Sequence, residues 1–181
     1  MPPPAPRATA ADAAVPSALR ERVSWFGLYL RNQKIGWTRS EIAHPSDGKY
    51  QERRYYRLKE ETFMKLRTLG MVQESTVRLE VDFTPDLKPL GFDFALTTPQ
   101  AALSATGEVQ GDELVTRIRT LAGEEEKRYT LGEDMDIFGL ADLRRAVNGF
   151  KVGEVITGQI FEPNLLGVVP YRLEIKDTAL M

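Results

Sequence analysis

The sequence predicts a mainly β fold: a curved antiparallel sheet, built as a meander, open barrel or roll, with one short helix near 137–148. Three observations lead there. From Gln73 to Phe83 the chain runs Q-E-S-T-V-R-L-E-V-D-F, so Val77, Leu79, Val81 and Phe83 alternate with Thr76, Arg78, Glu80 and Asp82. Leu90, Phe92, Phe94 and Leu96 repeat the alternation straight after a T-P-D-L-K-P turn. Later apolar runs are separated by short glycine-containing turns, too brief to hold helical crossovers. A period of two residues sends successive side chains to opposite faces of a strand, which leaves one face apolar and the other wet.

Met1 to Ala18 hold five prolines and seven alanines without one aromatic side chain. Such a stretch buries too little apolar surface to offset its ordering entropy. Residues 1–20 are therefore expected to be a flexible or polyproline-II-like arm, and 21–181 a single β-rich domain. The arm is either a tether left after removal of an upstream signal or anchor, or an ordinary ragged terminus.

Val23–Asn32 and Lys34–Ile42 read as two strands joined at Asn32-Gln33, because asparagine tolerates the positive φ of a tight hairpin turn. Gly27 and Gly36 inside them suggest a bulge, or an aromatic neighbour such as Trp25 or Trp37 lying across the backbone. His44 to Gly48 is a loop by composition. Tyr50–Leu69 is ambiguous. Its even positions carry Tyr50, Tyr56, Leu58, Met64 and Leu66, which favours two strands or one long bent strand, yet Leu58, Phe63, Leu66 and Gly70 also suit a helix.

Val72–Phe83 and Leu90–Thr97 form the clearest antiparallel pair. Leu103–Val109, Glu113–Leu121 and Glu125–Leu131 follow, separated by Gln110-Gly111-Asp112 and Ala122-Gly123-Glu124. The period then changes. Leu140, Leu143 and Val147 fall on one helical face, with Asp134 or Asp136 as candidate caps, Arg144 and Arg145 suiting the C-terminal dipole, and Asn148-Gly149 as a stop. Glu154–Phe161 and Val168–Ile175 complete a last hairpin.

Composition narrows the function. The chain has 181 residues, 42% of them hydrophobic, enough for one core and too few for two comfortable domains. A formal net charge of -2 does not resemble the basic footprint of a nucleic-acid binder. The absence of cysteine excludes disulfides and thiolate metal sites, and the single histidine, His44, leaves few metal sites or triads. No run approaches the roughly 18 apolar residues of a membrane-spanning helix. The start M-P-P-P-A-P-R lacks the apolar region of a signal peptide. No metal site and no cofactor are expected.

Each candidate for chemistry has a simpler account. His44 lies next to Pro45 without any nucleophile signature and is expected to be a solvent-exposed loop residue. Glu124, Glu125 and Glu126 are adjacent, whereas acid–base work needs two carboxyls held in different environments, so the run is expected in a solvated loop. Asp134-Met135-Asp136 begins like a calcium loop but lacks the later glycine and glutamate. The glycines are scattered, without a phosphate-binding spacing. Arg53-Arg54 and Arg144-Arg145 are flanked by acids and read as surface charge.

The aromatics offer more. Trp25, Phe26, Tyr29, Trp37, Tyr50, Tyr55 and Tyr56 concentrate in the first third of the chain. If the sheet curls, Trp25, Tyr29, Trp37 and Phe94 are candidates to line a concave apolar pocket for an acyl chain or similar ligand. The competing reading is that these rings fill the core.

The segment W-F-G-L-Y-L-R-N-Q-K-I-G-W, Trp25 to Trp37, resembles the opening of β-rich exported domains of bacterial envelope proteins, some of them preceding transglutaminase-like modules. The stretch from Asp142-Leu143 through Gly149-Phe150-Lys151-Val152-Gly153 to Phe161-Glu162-Pro163 is similar to theirs as well. More distantly, the pattern resembles lipoprotein-carrier folds. The resemblance implies a curved sheet wrapped on a helix and a periplasmic or envelope location, and it transfers no catalytic residue. The expectation is a non-catalytic binding or scaffolding domain of the cell envelope whose partner is an envelope protein. The alternative is a carrier or sensor that encloses a hydrophobic small molecule. A hydrolase using His44 or the Asp134/Asp136 pair is a third, weaker reading.

Overall fold

The computed structural model describes residues 19–50, 54–68, 71–132, 135–137, 140, 143–144, 147, 149, 151–162, 165 and 167–176. Eight strands follow one another as an antiparallel meander: β1 (Arg22–Leu30), β2 (Gln33–Ala43), β3 (Tyr56–Thr68), β4 (Met71–Phe83), β5 (Pro89–Thr97), β6 (Ala102–Gln110), β7 (Glu113–Thr120) and β8 (Gly123–Thr130). Each strand pairs with its sequence neighbours, so β1 and β8 are the two edges and the sheet is not closed. A second sheet of three strands, in the order β11-β10-β9, is formed by β9 (Met135–Ile137), β10 (Val155–Glu162) and β11 (Gly167–Glu174).

The mainly β, antiparallel expectation holds for the large sheet, and details differ. The first hairpin turns at Arg31-Asn32, one residue earlier than expected, with φ of 50° and 64°. Both central residues are left-handed, as a type I′ turn requires. Of the ambiguous Tyr50–Leu69 region, Tyr56–Thr68 is one strand that pairs with β4 over 13 residues, from Tyr56↔Phe83 to Thr68↔Met71, whereas Tyr50 lies in a turn. Glu124, Glu125 and Glu126 lie in β8, not in a loop.

The three-stranded sheet departs further. β9 pairs parallel to β10, Gln159↔Met135 to Phe161↔Ile137, which a strictly antiparallel scaffold did not anticipate. Leu140, Leu143, Arg144 and Val147 are helical, while the remaining positions of the expected helix beyond Ile137 lie outside the described residues, as does Asp134. Ile137 ends β9 and does not begin a helix. Asp136, a candidate cap, sits in β9, 2% exposed, with Arg144 Nη1 3.0 Å from its Oδ2, and its Oδ1 accepts the Ile137 N–H. Leu19, placed in the arm by composition, is buried in the core cluster.

Directly paired residues in a ladder share a face, so register sorts the side chains. The row Ser40–Glu60–Leu79–Phe94–Ala105–Ile118 lies on one face, and Trp25–Arg39–Glu61–Arg78–Ala95–Ser104 on the other. The first face carries Ile42, Leu58, Val81, Phe92 and Phe94 and is covered by Met135, Ile137, Leu140, Leu143 and Phe161. The Phe161 ring sits 5.1 Å from Phe92 and 5.2 Å from Tyr129, which locks the small sheet onto the large one. Burying each such side chain stabilises by about 1.5–3 kcal/mol.

The cover is one-ended. Along β4 the side chains pass from exposed at Met71 to fully buried at Phe83, and β3 runs the opposite way, from buried Tyr56 to exposed Lys65. Meander turns alternate between the two ends of a sheet. The 31–32 turn and the junction of β3 with β4 therefore share one end, and among the described residues β1, the first half of β2 and the far halves of β3 and β4 project past the packed interior.

Candidate functional site

Two places on the molecule concentrate chemistry. The first lies beneath the 44–55 connection, on the polar face of the large sheet. Asp82, 2% exposed, accepts hydrogen bonds from Arg57 Nε (2.5 Å), Arg57 Nη2 (3.0 Å), Lys49 Nζ (2.7 Å) and the Tyr50 hydroxyl (3.0 Å). The Tyr55 hydroxyl donates to Asp47 at 2.5 Å. Burial alone would raise the Asp82 pKa, but the hydrogen bonds and charges of Arg57 and Lys49 outweigh it, and the carboxyl ends below its ordinary value. Desolvation, followed by its hydrogen bond to Asp47, pushes the Tyr55 phenol up to about 12. Desolvation and then Asp82 push the Tyr50 phenol well above its usual range.

Beside this network a cleft of about 270 Å³ is lined by Lys49, Tyr50, Phe92, Asp93, Glu108 and Arg117. Desolvation and then the nearby Glu80 raise the Asp93 carboxyl. The arrangement neutralises its own charges: Lys49 and Arg57 are spent on Asp82, with Asp47 and Glu80 also near Arg57. It pins the described parts of the 44–55 connection to the sheet. His44, expected in solvent, packs its ring 4.1 Å from Tyr56, and its backbone N–H donates to Glu21.

The second place is the projecting end. Trp25 and Trp37 lie 5.1 Å apart between ring centroids, and Trp37 stacks on Phe63 at 6.3 Å. The Arg39 guanidinium sits 6.0 Å from the Trp25 ring. The Tyr29 ring lies across Gly27, where an added Cβ would stand 2.7 Å from Cε2, and the ladder bulges between Leu28 and Tyr29. Of the two alternatives the sequence offered for Gly27, the covering ring is the one found there, with Tyr29 instead of a tryptophan, and the bulge falls one residue further on. Gly36 is tight for another reason: a Cβ there would strike the Phe63 carbonyl oxygen.

The four residues picked from sequence as pocket-lining are thus divided. Trp25, Tyr29 and Trp37 come together on the projecting end, with Trp25 61% and Tyr29 64% exposed. Phe94 lies on the opposite face, 1% exposed, inside the core cluster with Leu79 and Phe161. Sequence reasoning missed Phe63 and Arg39 as neighbours of the Trp25–Trp37 pair, and it missed the Arg57–Asp82 pair. A cross-strand register for Trp37 would have found Phe63.

The two sheet edges differ sharply. β8 reads G-E-E-E-K-R-Y-T, and such charges discourage pairing with another strand. β1 reads R-V-S-W-F-G-L-Y-L, nine residues with one charge, and Val23, Trp25, Phe26, Tyr29 and Leu30 are all exposed. Isolated exposed apolar residues are ordinary, but a contiguous strip with aromatic members marks an interaction surface.

No family model, curated protein or solved structure matches the chain.

Proposed function

We propose that this chain is a non-catalytic binding module that captures an extended segment of a protein partner along the free edge of β1. The observation that carries the reading is the contrast between the edges: one is blunted by charge, the other is long, apolar and bare among the described residues. Strand addition at such an edge draws affinity from main-chain hydrogen bonds and specificity from alternate side chains. Trp25, Tyr29 and Trp37 then act as rigid aromatic anchors on one face of the joint sheet, with Phe26 on the other. A cell-envelope location rests on the sequence resemblance of residues 25–37 and 142–163 alone.

Selection of a phage-displayed random peptide library on the purified protein tests this. Enriched peptides should alternate apolar and polar residues, shield β1 amides from hydrogen exchange, and lose binding to the Phe26→Lys variant. That exposed substitution should shift stability by no more than about 0.5 kcal/mol. Peptides that shield β8 instead, or that bind the variant equally well, contradict the proposal. Native mass spectrometry showing a co-purified lipid would favour the hydrophobic-ligand carrier.

A further inference from the structure

We infer that the projecting end is also a docking site for the headgroups of an anionic phospholipid surface. A cleft of about 560 Å³ between the 31–32 turn and the far ends of β3 and β4 is lined by Arg31, Lys34, Lys65 and Arg67 together with Leu30 and Val72. Segments 30–35 and 65–74 hold these four cations against one carboxylate, Glu74, which lies 2.7 Å from Lys65. The end therefore carries +3, and the remainder of a chain of net charge -2 carries -5. Charge of this polarity orients the molecule with the end toward a negative plane and the rest away from it.

The apolar groups choose among polyanions. Leu30, Met71 and Val72 are 53%, 64% and 44% exposed at the same end, among the cations. A headgroup–acyl boundary satisfies both kinds of side chain at once, cations at the phosphates and aliphatic tips just below them. An extended nucleic acid offers aliphatic side chains no such environment, and along the sheet it would meet the surplus of negative charge. A plane touches the end alone.

Flotation of the full chain with vesicles tests this inference. Vesicles of phosphatidylcholine plus phosphatidylglycerol should carry the protein, and vesicles of phosphatidylcholine alone should not. Each juxtamembrane cation contributes about five-fold in partitioning. The Lys34→Gln, Arg67→Gln double variant should thus bind roughly twenty-five-fold less, while an Arg117→Gln, Arg119→Gln variant with the same change in net charge should bind as the parent does. Met71→Ser should weaken binding with the melting temperature unchanged. Raised salt should release the protein as screening grows. Equal binding to both vesicle types, equal loss in the two double variants, or displacement by inorganic phosphate or a single-stranded oligonucleotide would overturn the inference. Binding by the Phe26→Lys variant should persist, which separates this site from the β1 edge.

Discussion

Arg57 and Asp82 face each other across the β3–β4 ladder, with the Arg57 Nε 2.5 Å from Asp82 Oδ1. Asp82 is nearly inaccessible, so its removal takes from Arg57 and Lys49 their buried acceptor and leaves Arg57 only the more distant Asp47 and Glu80, at 3.5 and 3.6 Å. Asp82→Ala should cost about 3–5 kcal/mol in urea unfolding at neutral pH, as breaking buried pairs does. Replacing both partners with apolar residues of similar volume should cost much less. A loss below about 1 kcal/mol for Asp82→Ala would show that the pair is solvated after all.

The same carboxyl sets an acid limb. Its folded pKa lies below its unfolded value of about 3.9, so the folded state takes up this proton less readily. The stabilisation is full above about pH 4 and is lost as pH falls through the folded value. Asp93 has the opposite sign: its folded pKa is raised, so its protonation on acidification favours the fold. Unfolding curves from neutral pH downward should show the decline, and Asp82→Asn should flatten it.

Gly107 sits opposite Phe92, and a Cβ there would stand 2.1 Å from the ring's Cε1. Gly107→Ala should destabilise by about 1–3 kcal/mol through overpacking. Adding Phe92→Leu should recover part of that loss in a double-mutant cycle, because the clash then has less to strike. Additive losses would contradict the contact between the Phe92 ring and position 107.

Trp25 and Phe94 provide the test of the sheet's two faces. Phe94→Ala removes a core ring and should cost about 3–5 kcal/mol. Trp25→Ala on the projecting end should stay within about 0.5 kcal/mol, as exposed substitutions usually do. Comparable losses would place both rings in one core.

Much of the large sheet was legible. Val77, Leu79, Val81 and Phe83 alternate because one face of β4 packs on the core, whereas Met71–Thr76, where the strand projects, shows no such period. β3 was ambiguous because its charged residues are spent across the ladder: Arg57, Lys59 and Glu61 face Asp82, Glu80 and Arg78. Its apolar pattern is diluted by residues that pair, so no clean stripe remains.

Other features left no local trace. Met135, Asp136 and Ile137 are buried on both faces, so the three residues of β9 show no alternation that would mark a strand. The aromatic grouping went astray because composition says nothing about faces. Trp25 and Phe94 are separated by three intervening strands, and only the register Trp25–Arg39–Glu61–Arg78–Ala95 shows that Phe94 points the other way. Arg57 and Asp82 lie 25 residues apart, a pairing that strand register alone brings about.

Amide hydrogen exchange along Arg22–Leu30, followed residue by residue in dilute protein, bears most directly on the proposed docking edge. A free edge protects only the amides bonded to β2, so slow and fast exchange should alternate along β1, independent of protein concentration. Uniform protection of the whole strand at high dilution would mean that the chain already covers this edge, and a docking role for β1 would be contradicted.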